Sequence, residues 1–195
     1  MFDTTYLISM LLSIPGVLLA LSVHECAHGW MSCKLGDPTA RNMGRLTLNP
    51  MKHIDPFGLI CMILFHFGWA RPVPVNARYY KKPRRDMALV AAAGPVSNLI
   101  MCIFGVLMLH IVYLIYSFTP NAMPFWFIWD AAVYGPSMEI DLLTKIVCVL
   151  FIFFRQFSVL NVSLAVFNLI PVPPLDGSRI AYIFLPPKVY FGLMR

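Results

Sequence analysis

Residues 6–32 read YLISMLLSIPGVLLALSVHECAHGWMS. The run is longer than the roughly 20 apolar residues a helix needs to cross a hydrocarbon core. Its last third nevertheless carries His24, Glu25 and His28. Ionisable groups inside a span are costly, and where they occur they mark function. On a helix, positions i and i+4 share one face, a turn apart. Both imidazoles can therefore bind one zinc ion, and the glutamate beside the first can reach a water on that ion. Cys26 is two residues from His24 and points away from that face. The stretch predicts a membrane helix with a metal site on one side.

The rest of the chain agrees with a lipid setting. Of 195 residues, 59% are hydrophobic and 12% charged, about half the charged fraction of a soluble domain, and the mean hydropathy is +0.72. The formal net charge of +6 does not point to nucleic acid, because the basic residues fall between apolar runs as membrane-flanking charges do. The start, Met1-Phe2-Asp3, lacks the basic residues of a cleavable signal peptide, and the first apolar run is too long for one. The five cysteines form no C-x-x-C pair and read as small membrane-core residues.

Two further runs, 87–117 and 142–170, are long enough to span, whereas Phe57–Ala70 is too short. Basic residues crowd 34–53 and 71–85, while 119–141 carries Asp130, Glu139 and Asp141 and no Lys or Arg. Keeping both basic loops in the cytoplasm makes Phe57–Ala70 a re-entrant or interfacial segment. The expected fold is an all-α membrane protein, a polytopic bundle of three spanning helices in a single domain over 1–195. Its N-terminus lies outside and its C-terminus inside. Two short β-strands are expected in the cytoplasmic loops, Gly44–Leu48 and Pro72–Val75, the second confined by its prolines to an edge or bulge.

A catalytic zinc takes three protein ligands and keeps an open position. Asp176 is the candidate third ligand. It follows Pro171, Pro173 and Pro174, which break the third span near its cytoplasmic end, and it precedes Gly177, which allows a tight turn. The two histidines also lie near a cytoplasmic helix end, so all three fall on one side of the bilayer. Asp55 is the rival, with a turn or cap before Pro56 as its competing role.

Three separated motifs now stand together: His24-Glu25-Cys26-Ala27-His28, Gly94-Pro95-Val96-Ser97-Asn98, and the run from Asn168 to Leu175-Asp176-Gly177. The chain resembles the site-2 protease family, zinc metalloproteases that cut substrates within the membrane. Asn49-Pro50-Met51-Lys52-His53-Ile54-Asp55-Pro56-Phe57-Gly58 is similar to a segment of a compact subgroup of that family. The resemblance implies one Zn2+ on His24, His28 and Asp176, with Glu25 as general base. It also implies that Asn168 positions the substrate or its developing oxyanion. Asn98 divides between support of the site and an interhelical hydrogen bond. No soluble stretch is long enough for a PDZ-like or nucleotide-sensing domain. Compact relatives continue into a further membrane helix, so a missing C-terminal helix beyond Arg195 is one reading of the chain.

Asn161 reads as packing, and His66 and His110 as structural or interfacial. His53 falls at a cavity mouth or in solvent. Arg155 lies well inside a span and must snorkel, find a partner or face water. The expected activity is hydrolysis of a peptide bond, with the substrate held extended against Leu46 or Val73 by edge pairing. Expected substrates are single-span membrane proteins or signal-peptide remnants in a bilayer, and no oligomeric state is set. The expected setting is a bacterial plasma or inner membrane, with the site toward the cytoplasm. Two alternatives are a membrane zinc-binding protein that does not cut, and an inactive protease relative.

Overall fold

The computed structural model of the chain describes residues 4–55, 57–58, 71–135 and 139–186. Three long helices dominate: α1 (Thr4–Lys34), α3 (Pro83–Ser117) and α5 (Leu142–Asn168). Between and after them come α2 (Thr39–Asn42), α4 (Phe125–Tyr134) and α6 (Asp176–Ala181). Single 3-10 turns lie at Pro50–Lys52, Ala77–Tyr79 and Tyr182–Phe184. Met10–Lys34, Pro83–Ser117 and Leu142–Asn168 are long and apolar enough to cross a membrane. Prolines 15 and 95 lie inside the first two helices, as spanning helices tolerate.

α3 starts earlier than the apolar run suggested. Pro83 opens the helix, where a missing N–H costs nothing. The Asp86 carboxylate reaches back to accept the Lys82 N–H at 2.9 Å, a charge-assisted cap. α4 was not expected. Its segment carries acids and no Lys or Arg, as a loop between spans does, but Phe127, Ile128, Ala131 and Ala132 form one apolar face and are buried, with the i, i+1, i+4, i+5 spacing of a packed helix.

The described chain forms two compact units. The first comprises residues up to Leu18 and Ile100–Val162. Its core joins Leu109 and Tyr116 of α3 to Phe127, Ile128 and Ala131 of α4 and to Val147, Phe151 and Ile152 of α5. The Tyr116 hydroxyl sits 2.8 Å from the Thr144 hydroxyl and accepts the Met123 N–H at 3.0 Å. On the outer side of α3, Ile103, Leu107, Leu114 and Ile115 are exposed, a surface suited to lipid. Arg155 lies with its guanidinium 5.8 Å from the centre of the Trp129 ring, within reach of a cation–π attraction. Asn161 is buried and donates to the Phe157 carbonyl one turn back.

The second unit comprises Leu19–Leu99 and the chain from Ser163 onward. It collects the end of α1, the start of α3, the end of α5 and α6. Tyr80, Met87 and Val90 form its small apolar cluster. Arg84 donates to the carbonyls of Ile183, at 2.6 Å, and Leu185, which pins the chain after α6 to the start of α3.

The expected strands do not form. Among the described residues no strand is present, only a single bridge residue at Ile54. At Gly44 the backbone turns through φ +62°, so 44–48 cannot run straight. In Pro72–Val75 side chains take the Val73 N–H and the Pro72 carbonyl. The Val73 N–H goes to Glu25, the next segment is held by Asp37 at the Asn76 N–H, and Arg45 takes the carbonyls of Arg71 and Pro72. Pro72 and Pro74 have no N–H to offer. Of the expected re-entrant segment Phe57–Ala70, all but residues 57–58 lies outside the described residues, and so does His66.

Candidate metal and catalytic centre

His24 and His28 project from the same face of α1, and Asp176 is the first residue of α6. His24 Nε2 lies 3.0 Å from His28 Nε2. One Asp176 carboxylate oxygen lies 3.2 Å from the first and 3.1 Å from the second. Burial by itself would raise the Asp176 pKa. Hydrogen bonds and charge from the two imidazoles, when a proton lies between these atoms, outweigh it and hold the carboxyl well below the usual carboxylate range.

The partners behind the imidazoles decide what those atoms offer. His28 Nδ1 is 2.7 Å from the Val90 carbonyl, which can only accept, so Nδ1 carries the proton. His24 Nδ1 is 2.5 Å from the Asn98 amide oxygen and takes the same role. In the neutral tautomers both Nε2 atoms are then bare lone pairs. Three lone pairs face one another across about 3 Å. Zinc bonds of 2.0–2.1 Å in a tetrahedron would place ligand atoms roughly 3.3 Å apart. The donor set therefore fits zinc with small adjustments.

Two glycines make room for this arrangement. A Cβ on Gly94 would lie 2.5 Å from His28 Nε2 and 2.6 Å from His24 Cε1, so α3 can approach the imidazoles only without a side chain there. A Cβ on Gly177 would collide with the Leu169 and Ile170 carbonyls. Its absence lets α6 fold back close to the end of α5 and carry Asp176 to the histidines.

Glu25 shares a cavity of about 530 Å³ with the three donors. One of its carboxylate oxygens accepts the Val73 N–H at 2.8 Å, which fixes the group while leaving the other oxygen without a protein partner among the described residues. Asn168 also lines the cavity. Its amide donates to the Leu164 carbonyl at 3.0 Å, and its side-chain oxygen remains able to accept. Asn98 makes an interhelical contact, and its partner across the helices is His24. Asp55 is not part of the cluster, and its carboxylate accepts the Gly58 N–H at 2.9 Å, as a cap does. His53 is neither in solvent nor at the cavity mouth. It is buried, with Nε2 2.7 Å from the Thr47 carbonyl.

Two residues matter here that sequence reading passed over. Arg45 is buried and donates to the Arg71 and Pro72 carbonyls at 2.7 and 3.2 Å, so it holds the backbone that in turn holds Glu25. Asp37 is fully buried. It accepts from Ser32 Oγ at 2.8 Å, the Thr39 N–H at 2.9 Å and the Asn76 N–H at 2.7 Å. Burial alone would raise its pKa, but these hydrogen bonds hold it below the usual range. The Asp37-Pro38-Thr39 string is the turn signal that could have drawn notice to it. Arg45 had no signal beyond its charge.

Comparison with known proteins points the same way. The family model described as Peptidase family M50 matches residues 12–187. The chain is 42% identical over 173 residues to "Putative zinc metalloprotease YwhC" of Bacillus subtilis, covering 89% of this chain and 68% of that protein. It is 28% identical over 177 residues to "Putative zinc metalloprotease Rip2" of Mycolicibacterium smegmatis, covering 89% of this chain and 57% of that protein. It is 29% identical over 170 residues to Rip2 of Mycobacterium tuberculosis, covering 84% of this chain and 53% of that protein. No solved structure matches the chain.

Proposed function

Since the chain belongs to peptidase family M50, the site-2 proteases, and is a zinc metalloendopeptidase, we propose that it cuts its substrates within or at the edge of the membrane, with His24, His28 and Asp176 as the zinc ligands and Glu25 as the general base. One observation carries this reading: three convergent lone-pair donors and an anchored glutamate share one cavity beside apolar helices. A zinc ion there acts as a Lewis acid and brings the pKa of its water towards neutrality. Glu25 takes the proton from the attacking water and returns it to the leaving amine as the C–N bond breaks. Its hydrogen bond with the Val73 N–H keeps the carboxylate in place through both transfers. Asn168 offers its amide group to the peptide backbone or to the developing oxyanion. Asn98 and the Val90 carbonyl keep both imidazoles in the tautomer that presents Nε2.

Two features support a cytoplasm-facing site in a multi-pass membrane protein: the basic loops at 34–53 and 71–85 adjoin the site, and the acidic stretch 119–141 lies at the other helix ends. The relatives are bacterial, which supports a bacterial inner or plasma membrane. The matched family region runs through both compact units, in keeping with one catalytic domain. Its substrates on this reading are single-span proteins or signal-peptide remnants, locally unwound at the cut. A zinc carrier that does not cut has no use for Glu25.

The test is cleavage of a panel of single-span peptides in detergent or bilayers, read by mass spectrometry. Zinc-loaded wild type is expected to cut, and Glu25→Gln to bind zinc but lose at least 100-fold in rate, as for a general base. Equal cutting by both proteins would remove Glu25 from its role. Zinc bound stoichiometrically with no cut in any peptide would sink the protease reading.

A further inference from the structure

The catalytic cavity has a neighbour. A second cavity of about 580 Å³ shares Val75, Pro174 and Arg179 with it. Beyond those three, its walls include Arg78, Met87 and Tyr182, and no Asp or Glu among the described residues lines it. The catalytic cavity is the reverse. Among the described residues, Glu25 and Asp176 are its acids, and Arg179 is the only Lys or Arg in its wall. Arg179 is three residues beyond Asp176 in α6, so the guanidinium comes from the same helix face as the metal-site carboxylate.

Three other arginines of this unit, none of them in the wall of this cavity, are committed. Arg45 donates to the Arg71 and Pro72 carbonyls, Arg84 to those of Ile183 and Leu185, and Arg85 to Asp86. The guanidinium groups of Arg78 and Arg179 make no hydrogen bond or ion pair among the described residues, and both residues are exposed. Two unengaged planar forks in a wall where the polar side chains Asn76 and Ser178 are turned to the Arg78 N–H and the Leu175 carbonyl match a carboxylate, the anion that guanidinium binds in bidentate fashion. A lipid phosphate carries the same sign of charge. A peptide is favoured because the cavity shares its wall with the place where a peptide bond is cut, so a chain lying in one continues into the other.

We propose that this second cavity is a substrate subsite for a carboxylate, read by Arg78 and Arg179, on a residue a short way along the peptide from the bond that is cut. The subsite rests on the protease reading, and it makes the enzyme selective for an acidic residue next to the cleaved segment. The carboxylate can belong to an Asp or Glu side chain or to a free chain end.

The experiment reads binding, so that it does not depend on cleavage. Zinc-loaded Glu25→Gln protein is titrated with fluorescent single-span peptides whose C-termini are amidated. Each carries one Glu, Gln or Lys, moved a position at a time along the chain. At one position Glu is expected to bind about fivefold more tightly than Gln, the upper range for an exposed ion pair, with Lys weakest. Arg78→Gln lowers that preference, and Arg78→Glu with Arg179→Glu reverses it in favour of Lys. A gain of the same size from a free C-terminus placed there, with none from internal Glu, assigns the carboxylate to a chain end. Equal binding of Glu, Gln and Lys at every position with no gain from a free C-terminus either, or a preference that survives both arginine variants, overturns the subsite. So does a flat peptide scan combined with arginine-dependent binding to phosphatidylglycerol nanodiscs and none to phosphatidylcholine, which would give the cavity to a lipid headgroup. Absence of cleavage by wild type bears on the protease reading alone and leaves this titration readable.

Discussion

Three bare lone pairs at 3.0–3.2 Å repel one another unless a cation or a shared proton lies between them. The protein holds them there through groups that never touch the metal. The Asn98 amide oxygen fixes His24, and the Val90 carbonyl fixes His28. Removing such a partner typically costs 10–100-fold in metal affinity. Asn98→Ala should therefore weaken zinc by about that much, measured by competition with a chromophoric chelator, with the rest of the fold intact. Gly94→Ala should do worse, since its methyl would lie 2.5 Å from His28 Nε2 and one imidazole must move. An Asn98→Ala protein with unchanged zinc affinity would show that the amide does not orient His24.

At the scale of elements, the segment from Arg71 to Tyr80 is the least regular part of the site and the most tightly tied. Glu25 holds it at Val73, Asp37 at Asn76, and the Tyr80 hydroxyl meets Ser32 Oγ at 2.6 Å. A backbone bond, from the Arg71 N–H to the His53 carbonyl at 2.7 Å, joins these side-chain anchors. Asp37 is ionised in the fold with a lowered pKa. A carboxyl whose folded pKa lies below its unfolded value of about 3.9 contributes stability that is complete above that value. The contribution fades as pH falls through the folded pKa. Asp37→Asn should cost about 2 kcal/mol at neutral pH through weakened hydrogen bonds to a charged group. The gap between the two proteins should narrow below about pH 4. Parallel denaturation curves for both proteins across that range would show that Asp37 is not titrating against the fold.

At the scale of the whole molecule, the site gathers residues from the end of α1, the start of α3 and the chain after α5, which come together only in the folded protein. Zinc should bind the native state far better than the unfolded chain and stabilise it accordingly, by about 4 kcal/mol at a thousandfold excess over Kd. Chelation should lower the Tm in detergent, and added zinc should restore it. Asp176→Asn, which keeps the shape but weakens the third ligand, should respond much less. A wild-type Tm indifferent to chelator would mean that the cluster is not a tight metal site.

The sequence by itself determined the three long helices, because apolar runs of this length have no other way to satisfy their backbone in lipid. It also determined the HExxH face, because helical spacing places i and i+4 together wherever the helix lies. It singled out Asp176 through the prolines and glycine around it. Only the tertiary structure decided that 72–75 forms no strand, since that turned on Arg45, Glu25 and Asp37 taking backbone groups in and beside it from residues distant in the chain. Helix α4 escaped notice because a segment read for its charges hides a short apolar face that needs a neighbour to bury it. The same holds for Asn98, whose partner His24 lies on another helix, and for Arg78 and Arg179, which are about a hundred residues apart and mean nothing together until one cavity lies between them. Periodicity and punctuation are local, whereas hydrogen-bond partners and cavity walls belong to residues that only folding brings together.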